Sequence, residues 1–124
     1  MDGVPYLLAH ARRLIAIGWT QQADARDADN TPVHPWDSRA VRWSLLGALV
    51  AAVEHTATDR GEPAALQDLA RTCILLAETL DADSLQHWND TRDRTPLDVL
   101  GALDEAAALT GGDQDDDPLR PSLN

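Results

Sequence analysis

The nine residues LLGALVAAV, 45–53, constrain the fold more than any others in the chain. They are apolar nearly all the way round a helix, so no face is left to meet water. A helix of that kind has to be surrounded by other elements. The run is also far short of the roughly 20 residues that a membrane span needs. It therefore predicts a central, buried helix. With 124 residues, 44% of them hydrophobic, the chain has material for one core and not for two.

The partners of that helix are written in helical periodicity elsewhere. Residues 4–17 put Leu7, Ala11, Leu14 and Ile15 on one face, and Gly18 is a natural stop. The central helix is expected over 38–58. A third is expected over 63–80, with Leu66, Leu69, Ala70, Cys73, Leu76, Ala77 and Leu80 as its inward stripe and Asp68 and Arg71 outside it. A short helical turn suits 82–88. The last helix opens at TPLD: Thr95 caps, Pro96 takes the first position, and Asp98 follows three residues after the cap. Val99, Leu103, Ala106 and Thr110 then face inward, and the glycine pair 111–112 closes the helix. In the long first connection, 19–37, the Asp29-Asn30 pair suits a turn between two short strands, 21–26 and 31–34. The expectation is an all-α fold: a single compact domain of four to five helices over residues 1–111, with a small β-hairpin in its long first connection. Residues 112–124 read as an acidic, proline-bearing, disordered tail.

Charge narrows the function. The formal net charge is -11, from 21 acidic residues against ten arginines, with no lysine. That balance opposes binding to nucleic acid, whose phosphates need a basic face, and to anionic lipid. The lack of lysine beside many Ala, Asp and Arg is the composition expected of a GC-rich genome. A single cysteine, Cys73, excludes an internal disulfide and a cysteine-based zinc site. The start of the chain does not read as a cleavable leader, so a cytoplasmic protein is expected.

The stretch HPWDSRAVRW, residues 34–43, has two readings. In the structural one, Asp37 or Ser38 caps the central helix, Trp36 packs on Val41 as a staple, and Arg39 stacks on Trp43. That leaves Arg39 and Arg42 in the first helical turns, where the dipole disfavours each by ~0.5 kcal/mol. They would pair with Asp37, with a distant carboxylate such as Asp90, or with an anionic ligand. A second polar cluster, HWND, holds His87, Trp88, Asn89 and Asp90. It reads as a turn into the last helix, or as a group folded against His34, Asp37 and Arg42.

The segments GWTQQADARDADNTPVHPWDSRAVRWSLLGAL and SLQHWND…RTPLDVLGALDEA resemble a family of short actinobacterial and phage proteins of unknown function. The likeness rests on Trp19, Ala40, Trp43, Leu46, Gly47, Ala48, Leu49, Asn89, Asp90, Arg94, Thr95, Val99, Leu103, Asp104 and Ala106. It spans residues 4–110 and implies no activity. The chain departs from the family at Ser44, where many members carry cysteine.

Ser44 and His55 share a side of the central helix, but eleven residues at about 1.5 Å each hold them roughly 16 Å apart. Ser44 fits a small-residue groove with Ala48 and Ala51 better than a nucleophile. His10 reads as a hydrogen-bonded edge of the core, His55 as a helix-end residue and Cys73 as inert. No histidine pair has metal-ligand spacing, no phosphate loop is present, and no cofactor is expected. Two function classes remain. One is a small binding or interaction protein whose surface joins 19–43 to 87–94 through Trp36, Arg39, Arg42, Trp43, Trp88 and Asn89. The other is a small cofactor-free cyclase, isomerase or hydrolase with Asp37 or Asp90 as base and His34 or His87 as acid. The partner is a small molecule, another protein, or a second copy in a homodimer.

Overall fold

A computed structural model describes residues 3–111. The acidic tail expected at 112–124 lies outside the described residues. The element order is α1 (Val4–Ile17), β1 (Ala25–Arg26), β2 (Pro32–Val33), β3 (Arg42–Trp43), α2 (Leu45–Arg60), α3 (Glu62–Leu80), α4 (Leu85–Asp90) and α5 (Pro96–Gly111).

The apolar segment sits in the middle, as its composition demands. Leu45, Ala48, Leu49, Ala52 and Val53 of α2 are buried, against α1 on one side and α3 and α4 on the other. α5 packs on α1 and α3 and contributes Val99, Ala102, Leu103 and Ala106. Its start follows the expected chemistry. The Thr95 Oγ accepts from the Asp98 N–H at 3.2 Å, and Asp98 accepts from the Thr95 N–H at 3.0 Å. An exposed Arg12–Asp104 ion pair, 2.6 Å, links α1 to α5.

The hairpin forms, with shorter strands than expected. β1 pairs antiparallel with β2, and the 27–31 turn is closed by the Asp27 carboxylate, which accepts from the Asp29 and Thr31 N–H groups at 2.9 Å. Asn30 supplies the left-handed residue at φ 69°.

Two expectations need correction. The central helix starts at Leu45, not at residue 38. Residues 34–40 make two successive tight turns, and the chain then becomes β3, antiparallel to β1 in the sheet order β2-β1-β3. The Val41 N–H donates to the Arg26 carbonyl, so the residues read as a first helical turn form a strand edge. Asp37 and Ser38 therefore cap no helix, and Arg39 and Arg42 do not sit on a helix dipole. The cap is Ser44, whose Oγ accepts from the Gly47 N–H at 2.9 Å.

The second correction concerns one edge of α3, since Leu69, Cys73, Leu76, Ala77 and Leu80 meet the core as expected. Its fully buried line is Ala65, Asp68, Thr72 and Leu76, while Leu66 and Ile74 are 49% and 58% exposed. Asp68 tolerates burial because Arg71 donates to it at 2.7 Å, and the Thr72 hydroxyl is satisfied by the Asp68 carbonyl.

Candidate functional site

The two polar clusters are both tied to the 19–43 connection, and they do different work there. Asn89, fully buried at the end of α4, uses all of its hydrogen-bonding capacity. Its Oδ1 accepts from the Trp19 indole at 2.7 Å and from the Leu45 N–H at 2.9 Å. Its Nδ2 donates to the Thr20 carbonyl and to the Asp90 carboxylate, each at 3.1 Å. Asn89 thus joins α1's exit, the first amide of α2 and α4 at one point.

Asp90 extends this clasp. It accepts from the Gln22 N–H at 2.8 Å, holding Gln22 at a left-handed φ of 66°, and from the Gln86 amide. Burial raises its pKa, but the hydrogen bonds from Gln22, Gln86 and Asn89 outweigh this and leave it below the usual carboxylate value. Gln21 closes the clasp on the carbonyls of Asn89 and Thr91, each at 3.0 Å. The contacts of Asn89 and Asp90 run to residues 19–22, 45 and 86, not to His34, Asp37 or Arg42. His87 lies exposed on α4, its backbone N–H capped by Ser84.

The four tryptophans divide in the same way. The Trp19 indole is bound by Asn89. Trp43 is buried, and its indole donates to the Pro35 carbonyl at 3.0 Å. Trp88 lies under the Arg94 guanidinium, 3.9 Å from the ring centroid. Trp36 alone is strongly exposed, at 54%, and it packs on no residue of the core. Its ring lies parallel to His34, within 3° and with centroids 4.7 Å apart. With α2 starting at Leu45 there is no helical turn at 38–41 for Trp36 to staple, and the Arg39–Trp43 stack does not form.

Beside that stack runs a groove of about 450 Å³, lined by Gln22, Asp24, Val33, His34, Asp37 and Arg39 among others. It gathers three of the residues singled out from sequence: His34, Asp37 and Arg39. Arg39 grips Asp37 with two bonds, Nε to Oδ1 at 3.1 Å and Nη2 to Oδ2 at 2.9 Å, and adds its backbone N–H at 2.8 Å. The Arg39 side-chain bond, then its backbone bond, hold the Asp37 carboxyl down at about 2. Arg42 is elsewhere, on the sheet face opposite Trp43. There it braces the hairpin turn through the Asp27 carbonyl at 3.0 Å and the Asn30 side chain at 3.3 Å.

Asp24 is the groove residue that the sequence reading missed. It is exposed, and among the described residues its carboxylate takes no hydrogen bond and no ion pair. Its backbone carbonyl, by contrast, is fixed by the Ser44 N–H at 3.0 Å. No local pattern marks Asp24 among its neighbouring aspartates; only the folded sheet edge brings it opposite His34 and Asp37.

Two remaining candidates have quiet surroundings. Burial pushes the half-buried Cys73 thiol up, away from nucleophilic thiolate. His10 is part of a stack with Tyr6 and with His55, whose ring lies 4.7 Å away. Among the described residues, no group of three or more His, Cys, Asp or Glu side chains is placed to hold a metal ion.

Compared with known families, residues 2–109 match a family of unknown function across nearly the whole described chain. The chain belongs to DUF6197. No curated protein and no solved structure matches it. Of the residues on which the sequence resemblance was drawn, Trp19, Asn89 and Asp90 form the clasp. Trp43, Ala48, Leu49, Val99, Leu103 and Ala106 fill the core of this DUF6197 chain, and Thr95 caps α5.

Proposed function

We propose that this DUF6197 protein is a binding module whose contact surface is the outer edge of the 22–41 segment, centred on the Trp36–His34 stack. One observation carries the reading. Three of the four indoles are engaged by the fold, and the fourth is held exposed on an imidazole at a loop tip beside a groove. Tryptophan carries large contact area at low entropic cost and dominates interfaces where it occurs. The acid–base alternative fits less well. A general base works best with a pKa near the working pH. Asp37 and Asp90 are both held well below it.

The proposal includes a cytoplasmic setting and a protein or small-molecule partner rather than nucleic acid, because net charge -11 repels phosphate. No helix among the described residues is long and apolar enough to cross a membrane.

The test is site-specific photo-crosslinking in the native host. A photoreactive residue at position 36 is compared with one at position 97, on the far more exposed Leu97 of α5 (77%). Adducts at 36 and none at 97 support the reading. Equal labelling, or none at 36, sinks it. An adduct of twice the chain mass identifies a homodimer.

A further inference from the structure

We infer that the partner presents a cation to the groove beside Trp36: an arginine or lysine side chain on a basic protein segment. This rests on the proposed contact surface and names the chemistry that fits it. The groove holds two carboxylates, Asp24 and Asp37, and one guanidinium, Arg39. Arg39 and Asp37 neutralise each other through a bidentate bond. Asp24 is left as an exposed carboxylate with no partner among the described residues. The groove therefore carries one uncompensated negative charge.

His34 lines the same groove, and Trp36 stacks on its ring. The indole face carries a negative quadrupole and attracts ammonium and guanidinium groups. A cation in the groove meets Asp24 and His34, the imidazole on which Trp36 stacks. The whole chain acts in the same direction, since a net charge of -11 steers basic partners inward and repels acidic ones. The arginines of the neighbouring sheet do not reverse the sign. Arg26 and Arg42 are turned to the hairpin turn and the 20–21 segment, where they bond Thr20, Gln21, Asp27 and Asn30.

The experiment titrates the full chain with a tetra-arginine peptide, followed by two-dimensional amide and indole NMR, with tetra-glutamate as the control. Saturable shifts at the Trp36 indole and at residues 22–24 and 33–39 are expected with tetra-arginine alone, and they weaken as salt is raised. Trp36→Leu and Asp24→Asn each weaken binding by about threefold or more, the size of an exposed cation–π or ion-pair contact. Glu78→Gln on exposed α3 removes the same charge and leaves binding unchanged.

Shifts spread over all acidic surfaces, or indifference to Asp24→Asn and Trp36→Leu, overturn the inference. Spermidine binding the same residues more tightly than the peptide overturns the choice of a protein segment. The two proposals fail separately. Crosslinks at position 36 that survive both Asp24→Asn and high salt leave the contact surface standing and remove only the cation. Absence of crosslinks removes the surface itself.

Discussion

Asn89 and Trp36 lie at opposite ends of what a polar or aromatic side chain does in this molecule. Asn89 satisfies four hydrogen-bonding valences in a fully buried place. Asn89→Ala strands the Trp19 indole N–H, the Leu45 N–H and the Thr20 carbonyl together, and stranded buried groups cost about 1–3 kcal/mol each before relaxation. A loss of about 3 kcal/mol is expected, seen as a fall in Tm of more than 10 °C by circular dichroism. A fall of under 3 °C would show that the clasp does not hold the fold. Trp43→Ala should cost a similar amount, about 3–5 kcal/mol, because that ring is buried and bonded to Pro35. Trp36→Ala should stay within about 0.5 kcal/mol of the parent. Urea denaturation of the two variants checks the division of labour; an equal loss at both positions would mean that Trp36 is a structural residue and no contact. At Asp37 the sign runs the usual carboxylate way. Its folded pKa, about 2, lies below the ordinary value, so whatever it contributes is present above pH 4 and lost as pH falls towards 2.

The elements show how identical residues take opposite roles according to what surrounds them. Gly47 lies in the first turn of α2, where an added Cβ would meet the Asp24 carbonyl at 1.9 Å. Gly101 lies within α5 with nothing inside 4 Å. Helix propensity alone favours alanine over glycine by about 1 kcal/mol at either site. Gly101→Ala should accordingly raise stability by about 0.5–1 kcal/mol. Gly47→Ala should lower it by about 1–3 kcal/mol, as overpacking does, because backbone must move. Paired thermal melts decide the matter, and a gain at Gly47 would contradict the close approach of the 22–24 segment to α2. The same contrast explains what could be read from sequence. The Thr95–Asp98 box, the Asp29-Asn30 turn and the apolar stretch 45–53 are local patterns, and each formed where the residues said it would. The start of α2 was misplaced because Arg39, Val41 and Trp43 imitate a first helical turn. Their true partner, β1, is some 16 residues earlier in the register Arg26↔Arg42. The inward stripe of α3 was read only in part: Leu69, Cys73, Leu76, Ala77 and Leu80 do meet the core, but Asp68 looks like a surface residue until Arg71 answers its charge. The candidate site was half legible: His34, Trp36, Asp37 and Arg39 stand in one short stretch. Asp24 and the partners of Asn89 did not announce themselves, since they meet only across the folded sheet and the 19–22 segment.

At the scale of the whole molecule, two electrostatic trends oppose each other as pH falls from 7 to 5. The net charge of -11 shrinks towards zero near pH 4.4, which relieves self-repulsion and favours the compact state. Against this stands the His10–His55 stack between α1 and α2. The pKa of His10 is lowered first by burial, then by His55 and Arg13, and no carboxylate offsets them. A histidine with a folded pKa below its unfolded value binds fewer protons when folded. Its contribution is therefore complete above pH 6.5 and is lost as pH falls towards the folded value. The wild-type curve sums both trends and identifies neither. His10→Gln leaves the other titrating groups in place and removes the half-buried imidazole. The variant should lose less stability than the parent, or gain more, on going from pH 7.5 to pH 5, measured by urea denaturation at fixed ionic strength. His55→Gln should restore only the smaller share, since burial outranks the neighbouring ring as the cause. Parallel curves for parent and His10→Gln would mean that the stack does not couple protonation to the α1–α2 contact. The acid response of the fold would then belong to net charge alone.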